Sequence, residues 1–509
     1  MFRNQPKGLF ALALANTGER FGYYTMLAVF ALFLKANFGL TAGQAGLIYS
    51  VFLGMVYFLP IVGGALADRF GFGKMVTIGI IVMFVGYLLL SIPLGGDALA
   101  LIVMIAALLL VSLGTGLFKG NLQVMVGDLY NDPQYADKRD SGFSLFYMAI
   151  NIGSLFAPMA AIGLKKIGMS MGFAENDAYH FSFAAACLSL VVSIAIYYGF
   201  RRTFRHVESK RDKEAAATPS EEIKELSKEE TKSRIVALCL VFAVVIFFWM
   251  AFQQSGLTLT FFADEFTKMS APGITGMPFS VLNLVIVLIL VYAGFSIFQS
   301  ETRKGKNISI GIVVACLAAL VWRAIRTPDV TNYDAPIFQQ FNPFFVVALT
   351  PVSMAIFSSL AAKGKEPSAP RKIAYGMLVA AAAYALMILA SSGLNTPDVQ
   401  KAAKEAGDTL TLAGPYWLIS TYLILTFGEL LLSPIGISFV TKVAPPKYKG
   451  MMMGGWFAAT AIGNLLVQVG GHLWGSLPLW VVWGVFVLLC LLSAVFMFSM
   501  MKRLEAVTK

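Results

Sequence analysis

Charge is scarce in this chain. Of its 509 residues, 13% are Asp, Glu, Lys or Arg, about half the share typical of a soluble globular domain. With 58% hydrophobic residues and a mean hydropathy of +0.73, that scarcity argues against a water-soluble multidomain protein. Cysteine is sparse too: Cys187, Cys239, Cys316 and Cys490 fall in separate apolar runs without CxxC spacing, which argues against disulfides and metal sites alike. The three histidines add no metal-binding spacing, and no organic cofactor is expected. A nucleotide-binding loop is missing, as is any Ser/His/Asp arrangement supported by helix position, so an enzyme is not expected.

What the chain has instead is apolar runs of membrane-spanning length, joined by short polar loops. Their approximate bounds are 8–35, 44–66, 75–93, 98–118, 142–164 and 180–199, then 234–262, 279–299, 307–325, 341–363, 371–392, 413–440, 450–472 and 476–501. The opening "MFRNQPKGLFALALA" resembles a signal peptide, but apolar character resumes after Arg20 and runs to Leu34, so one uncleaved span is expected. The net charge of +11 does not indicate nucleic acid, because no basic stripe carries interleaved aromatics. Most Lys and Arg residues lie at the two termini and in the loops near 70, 130, 215, 303, 366 and 445. This bias places those ends in the cytoplasm and requires an even number of spans.

The only long polar stretch, 201–233, divides six spans from eight. It reads as a cytoplasmic linker in which Thr218-Pro219-Ser220-Glu221 caps a short surface helix. The expected organisation is a bundle over 1–200, the linker over 201–233, and a second bundle over 234–509 with an added helix pair near 279–325.

Against this background the stranded charges stand out, since an ionisable group at a membrane helix centre costs about 3 kcal/mol on insertion scales. Glu19 and Arg20 lie mid-run in "NTGERFGYY". Adjacent helical positions point about 100° apart, so each is expected to find a partner elsewhere. Asn16, Arg20, Tyr23 and Tyr24 share a helix face and suggest the wall of a polar cavity. Lys119 ends a Gly-rich run in which Gly116 and Gly120 would permit close helix approach; it could snorkel to the surface or pair with Glu19. Glu429 is surrounded by apolar residues, and Asn151, Asn342 and Trp456 add polar or amphipathic groups to other spans. Cations and phenols thus come from the first six spans and an acid from the later ones. A ligand with a carboxylate at one end and an ammonium at the other would match.

These stretches, together with "GGALADRFGFGK", "GTGLFKGN", "GFSLFYMAINIGSLFAP", "FFWMAFQQSG", "FNPFFVVALTP" and "TFGELLLSPIGISFV", resemble the proton-dependent oligopeptide transporters of the major facilitator superfamily. The resemblance implies an all-α polytopic membrane protein with the major facilitator fold: two six-helix bundles plus an extra pair, about fourteen transmembrane helices. It implies secondary active uptake of di- and tripeptides by alternating access, driven by protons; a monomer in a bacterial inner membrane, with both termini cytoplasmic, is expected. Arg20 and Lys119 would hold the peptide carboxylate. Glu429, Asn151 and Asn342 would hold the amino terminus, while Tyr23, Tyr24, Tyr57, Trp249, Trp456 and Phe457 would line side-chain pockets. Asp68 and Arg69 would make gating contacts.

Two positions depart from the family pattern. Asn16 stands where the first acid of the Glu-x-x-Glu-Arg motif is expected, and Gln253 stands where an acid follows the tryptophan of the seventh core helix. Neither amide titrates in the physiological range, so coupling is expected to fall on Glu19 with Lys119, or on Glu429, or to be lost. The alternatives are an uncoupled or exchange carrier for peptide-like zwitterions or drugs, and a membrane sensor that binds peptide without moving it. The extra pair also follows the seventh core helix here instead of preceding it, which suggests a peripheral, lipid-facing position.

Overall fold

The computed structural model describes residues 5–135, 139–208, 227–445 and 448–507. Among these described residues, fourteen helical segments are long and apolar enough to cross a membrane. The first half contains α1 (Lys7–Phe38), α2 (Ala42–Phe70), α3 (Phe72–Leu90), α4 (Ala98–Asp128), α5 (Arg139–Ser170) and α6 (Glu175–Gly199). Next, α7 (Lys228–Phe252) and α8 (Thr258–Phe266) form one span, interrupted by a 3-10 turn at Gln253–Gly256. Then come α9 (Val281–Gln299), α10 (Arg303–Ile325), α11 (Phe341–Ala362), α12 (Ala369–Ala390), the short α13 (Pro397–Ala406) and α14 (Pro415–Val443). Another broken span, α15 (Lys449–Leu465) with α16 (Gln468–Leu473), is followed by α17 (Leu479–Ser499) and α18 (Met501–Ala506). A short antiparallel ribbon pairs β1 (Ser270–Pro272) with β2 (Val330–Asn332).

Local chemistry sets several helix starts. Thr41 and Gln44 form a reciprocal capping box at α2, which satisfies backbone donors that the first turn leaves free. Asp97 accepts from the Ala100 amide at 2.8 Å and starts α4. The α13 helix carries Thr396 as its cap, Pro397 in its first turn and Gly407 beyond its end at φ 77°. Proline costs nothing at the first turn, and glycine takes a left-handed φ without steric penalty.

Within the first half, α1 packs on α5 and α6, while α2 and α3 pack on α4. In the second, α12 packs on α14 and α17, and α7 on α15. The halves meet where α2 lies against α15 and α16, and α5 against α11. The α9–α10 pair follows the seventh span, as its apolar runs suggest. Only 11% of the most apolar stretch of α10 is buried, and α10 packs chiefly against α9, so the pair is peripheral.

Three expectations need correction. The α4 helix continues to Asp128, so Lys119 is an interior position and not a helix end. Of the Gly116/Gly120 pair, only Gly116 is needed for close approach. A Cβ on Gly63 would collide with the Gly116 carbonyl, whereas one on Gly120 would sit 3.6 Å from Pro60 in ordinary contact. The third correction is that the runs 234–262 and 450–472 are broken helices. The capping box at Thr218–Glu221 and the surface helix after it lie outside the described residues.

Candidate functional site

A cavity of about 330 Å³ lies between the two halves. Its first wall comes from α1, which contributes Arg20, Tyr23 and Tyr24, and from Tyr57, Lys119 and Asn151 on α2, α4 and α5. Trp249, Asn342, Glu429, Trp456 and Phe457 face them from the second half. Every residue expected to bind cargo therefore reaches one cavity. Gln253 lines it too, at the point where α7 gives way to its 3-10 turn.

The Arg20 guanidinium donates from Nε to Glu19 Oε2 and from a terminal nitrogen to Glu19 Oε1, both at 2.5 Å. This overturns the expectation that the neighbours point too far apart to pair. The arginine side chain is long enough to fold back over its own helix, and its planar fork matches both carboxylate oxygens. Burial makes the pairing necessary: Glu19 is fully buried and Arg20 is 3% exposed, and an unpaired charge there would be strongly unfavourable. Glu19 and Asn16 are buried outside the cavity lining, so the expected polar stripe narrows to Arg20, Tyr23 and Tyr24. The Arg20 guanidinium also lies 4.5 Å from the centre of the Tyr23 ring, a cation–π contact.

Lys119 neither snorkels nor pairs with Glu19. Its ammonium sits 4.1 Å from the centre of the Tyr57 ring, and no ion pair forms to it among the described residues. Across the cavity, the Asn342 side-chain nitrogen donates to Glu429 Oε2 and to Thr426 Oγ1, each at 3.0 Å. Glu429 is likewise free of an ion pair among the described residues. With Arg20 neutralised by Glu19, the site presents one uncompensated cation from the first half and one uncompensated anion from the second. Asn151 spends its side-chain N–H on the Tyr147 carbonyl at 3.0 Å, one turn earlier on α5. The Trp249 indole N–H is buried without a hydrogen-bond partner among the described residues.

Several lining residues were missed in the sequence: Gln123, Tyr147, Gln339 and Tyr422. Helical spacing gives three of them away. Gln123 follows Lys119 by four, Tyr147 precedes Asn151 by four, and Tyr422 precedes Glu429 by seven, so each shares a face with a residue already singled out. Gln339 had no such signal, because it sits in the 3-10 turn Ala335–Gln340. Its side-chain nitrogen donates at 3.1 Å to the Ala28 carbonyl of α1 and to Thr260 of α8. Asp68 and Arg69 are exposed at the end of α2 and make no ion pair among the described residues; Arg69 lies against the Phe70 ring.

Two broken-helix spans, a central polar cavity and peripheral added helices define a polytopic membrane carrier. The family model described as the POT family matches residues 73–219 and 326–473, and the chain belongs to that family. It is 29% identical to the peptide transporter YePEPT of Yersinia enterocolitica, over 92% of this chain and 88% of that one. It is 29% identical to a di-/tripeptide transporter of Lactococcus lactis subsp. cremoris, over 91% and 89%. Identity to the dipeptide and tripeptide permease A of Escherichia coli is 25%, over 93% and 85%. A crystal structure of a peptide transporter POT in complex with sulfate superposes with a TM-score of 0.74 at 23% identity, covering all of this chain and 96% of that one. The fold is the major facilitator fold of these carriers. Family members are transporters and not enzymes.

Proposed function

We propose that the protein is a secondary active transporter of di- and tripeptides, working by alternating access. The observation that carries this reading is the opposed pair Lys119 and Glu429, facing one cavity from opposite halves with neither charge neutralised. Lys119, backed by Arg20, holds the peptide carboxylate; Glu429, with Asn342 and Asn151, holds the ammonium. Side chains then meet Tyr23, Tyr24, Tyr57, Trp249, Trp456 and Phe457, whose rings discriminate weakly among residues. The lobes are residues 1–200 and 234–509. The Lys/Arg bias supports an orientation with both termini in the cytoplasm, and the membrane proposed is a bacterial inner membrane. One chain supplies the whole cavity, which supports a functional monomer.

Coupling to protons falls on Glu429 and Glu19, the acids left in and behind the cavity. Protonation of Glu19 would release Arg20 for the carboxylate of the cargo. Protonation of Glu429 would release the amine. A second reading, carriage without coupling, is favoured by Gln253, an amide lining the cavity where the family pattern has an acid. Asp68 and Arg69 remain candidates for cytoplasmic gating. The test is uptake of a labelled dipeptide into proteoliposomes with and without an inward proton gradient. Concentrative uptake with the gradient supports symport. Equal, non-concentrative uptake supports the uncoupled carrier. Binding without uptake refutes both.

A further inference from the structure

The end of the molecule opposite the N-terminus carries a second opposed set of charges. Lys35, in the last turn of α1, pairs with Glu265 at the end of α8 at 2.5 Å. The Trp474 indole N–H donates to the other Glu265 oxygen at 3.0 Å, and the Lys35 ammonium lies 4.4 Å from the Phe261 ring centre. Lys166, near the end of α5, pairs at 2.7 Å with Asp334, which precedes the 3-10 turn Ala335–Gln340. Both pairs cross between the halves, and both have the same sense: the lysine comes from the first half and the acid from the second. That is also the sense of Lys119 and Glu429 below. Nearby Lys165 is spent on Glu175 within the first half at 2.7 Å, so it leaves the pattern unchanged.

A simple clasp needs no particular polarity, because either half could hold either sign. A clasp that repeats the polarity of the central cavity does more when it opens. It leaves Lys35 and Lys166 unpaired on the first half and Glu265 and Asp334 unpaired on the second. Fifteen residues of α1 separate Arg20 from Lys35, a rise of roughly 22 Å, so a dipeptide about 7 Å long cannot touch both levels at once. We propose that, with this end open, Lys35 and Lys166 on one wall and Glu265 and Asp334 on the other form an entrance subsite for zwitterionic peptides. It captures the carboxylate on the first half and the ammonium on the second, and delivers the cargo in the orientation the cavity requires. Closure then re-forms the two ion pairs behind it. This rests on the peptide-carrier reading above. Charged walls of this kind act mainly on capture.

Lys166 and Asp334 are 61% and 48% exposed, against 28% and 20% for Lys35 and Glu265, so they are the pair to exchange. The Lys166→Asp/Asp334→Lys double variant keeps an ion pair but reverses the wall. In oriented vesicles its KM for a zwitterionic dipeptide should rise about threefold or more from the far side, while KM from the N-terminal side and the melting temperature stay unchanged. A double variant with native KM on both sides overturns the entrance subsite and leaves only a clasp. An equal KM rise on both sides also overturns it. No peptide uptake by the unsubstituted protein would instead overturn the cargo reading, and the subsite with it.

Discussion

Glu19 and Arg20, neighbours in one helix, satisfy each other through two 2.5 Å hydrogen bonds, so the arginine brings little net charge to the cavity it lines. The division of labour follows from that pairing. Lys119 is the available cation, Glu429 is the available anion, and Arg20 becomes available only when Glu19 lets go.

Replacing Glu19 with Gln should leave the buried guanidinium without its counter-ion. Removing one partner of a buried pair costs about 3–5 kcal/mol. A drop in melting temperature in detergent should follow, and Glu19→Gln with Arg20→Gln should recover part of it.

Replacing Lys119 with Gln should weaken peptide binding at least tenfold, about 1.4 kcal/mol. Arginine at the same position should do better than glutamine, because it keeps the charge. Binding titrations with a dialanine-type ligand would show the order.

The ionised form of Glu429 is the one that attracts an ammonium. Binding at the cavity should therefore weaken as pH falls through the titration of this carboxyl. Glu429→Gln should bind weakly at every pH. Ligand affinity measured across a pH series on both proteins checks the sign.

Restoring an acid with Gln253→Glu adds a titratable group to the cavity wall. Uptake should then depend more steeply on the proton gradient than in the unsubstituted protein. Parallel flux measurements at matched protein density would reveal it.

Packing between α2 and α4 depends on Gly63 meeting the backbone at Gly116. Gly63→Val should cost about 1–3 kcal/mol or more by overpacking, whereas Gly120→Ala, with ordinary contact distances, should be nearly silent. Thermal melts of the two variants give the comparison.

Much of the fold was legible because a membrane forces long apolar runs, and each of the fourteen spans announces itself that way. The cavity residues were legible for a related reason: a charge or amide is costly in such a run and persists where a polar space receives it. What escaped the sequence was local. The pairing of Glu19 with Arg20 depends on side-chain reach and not on helical phase. The breaks at Gln253–Gly256 and between α15 and α16 leave no proline as a marker. Gln339 sits in a 3-10 turn where helical spacing says nothing. The α13 helix did carry readable signals in Thr396, Pro397 and Gly407, but its polar composition hid it among loops.

Recognition of both peptide termini by Lys119 and Glu429 is tested most directly by competition. Uptake of a labelled dipeptide is measured against the same dipeptide unlabelled, N-acetylated, or amidated at its C-terminus. Blocking either end should weaken competition tenfold or more, about 1.4 kcal/mol, and Lys119→Gln should erase the penalty for the amide while keeping that for the acetyl group. Blocked peptides that compete as well as the free one would contradict the two-charge site.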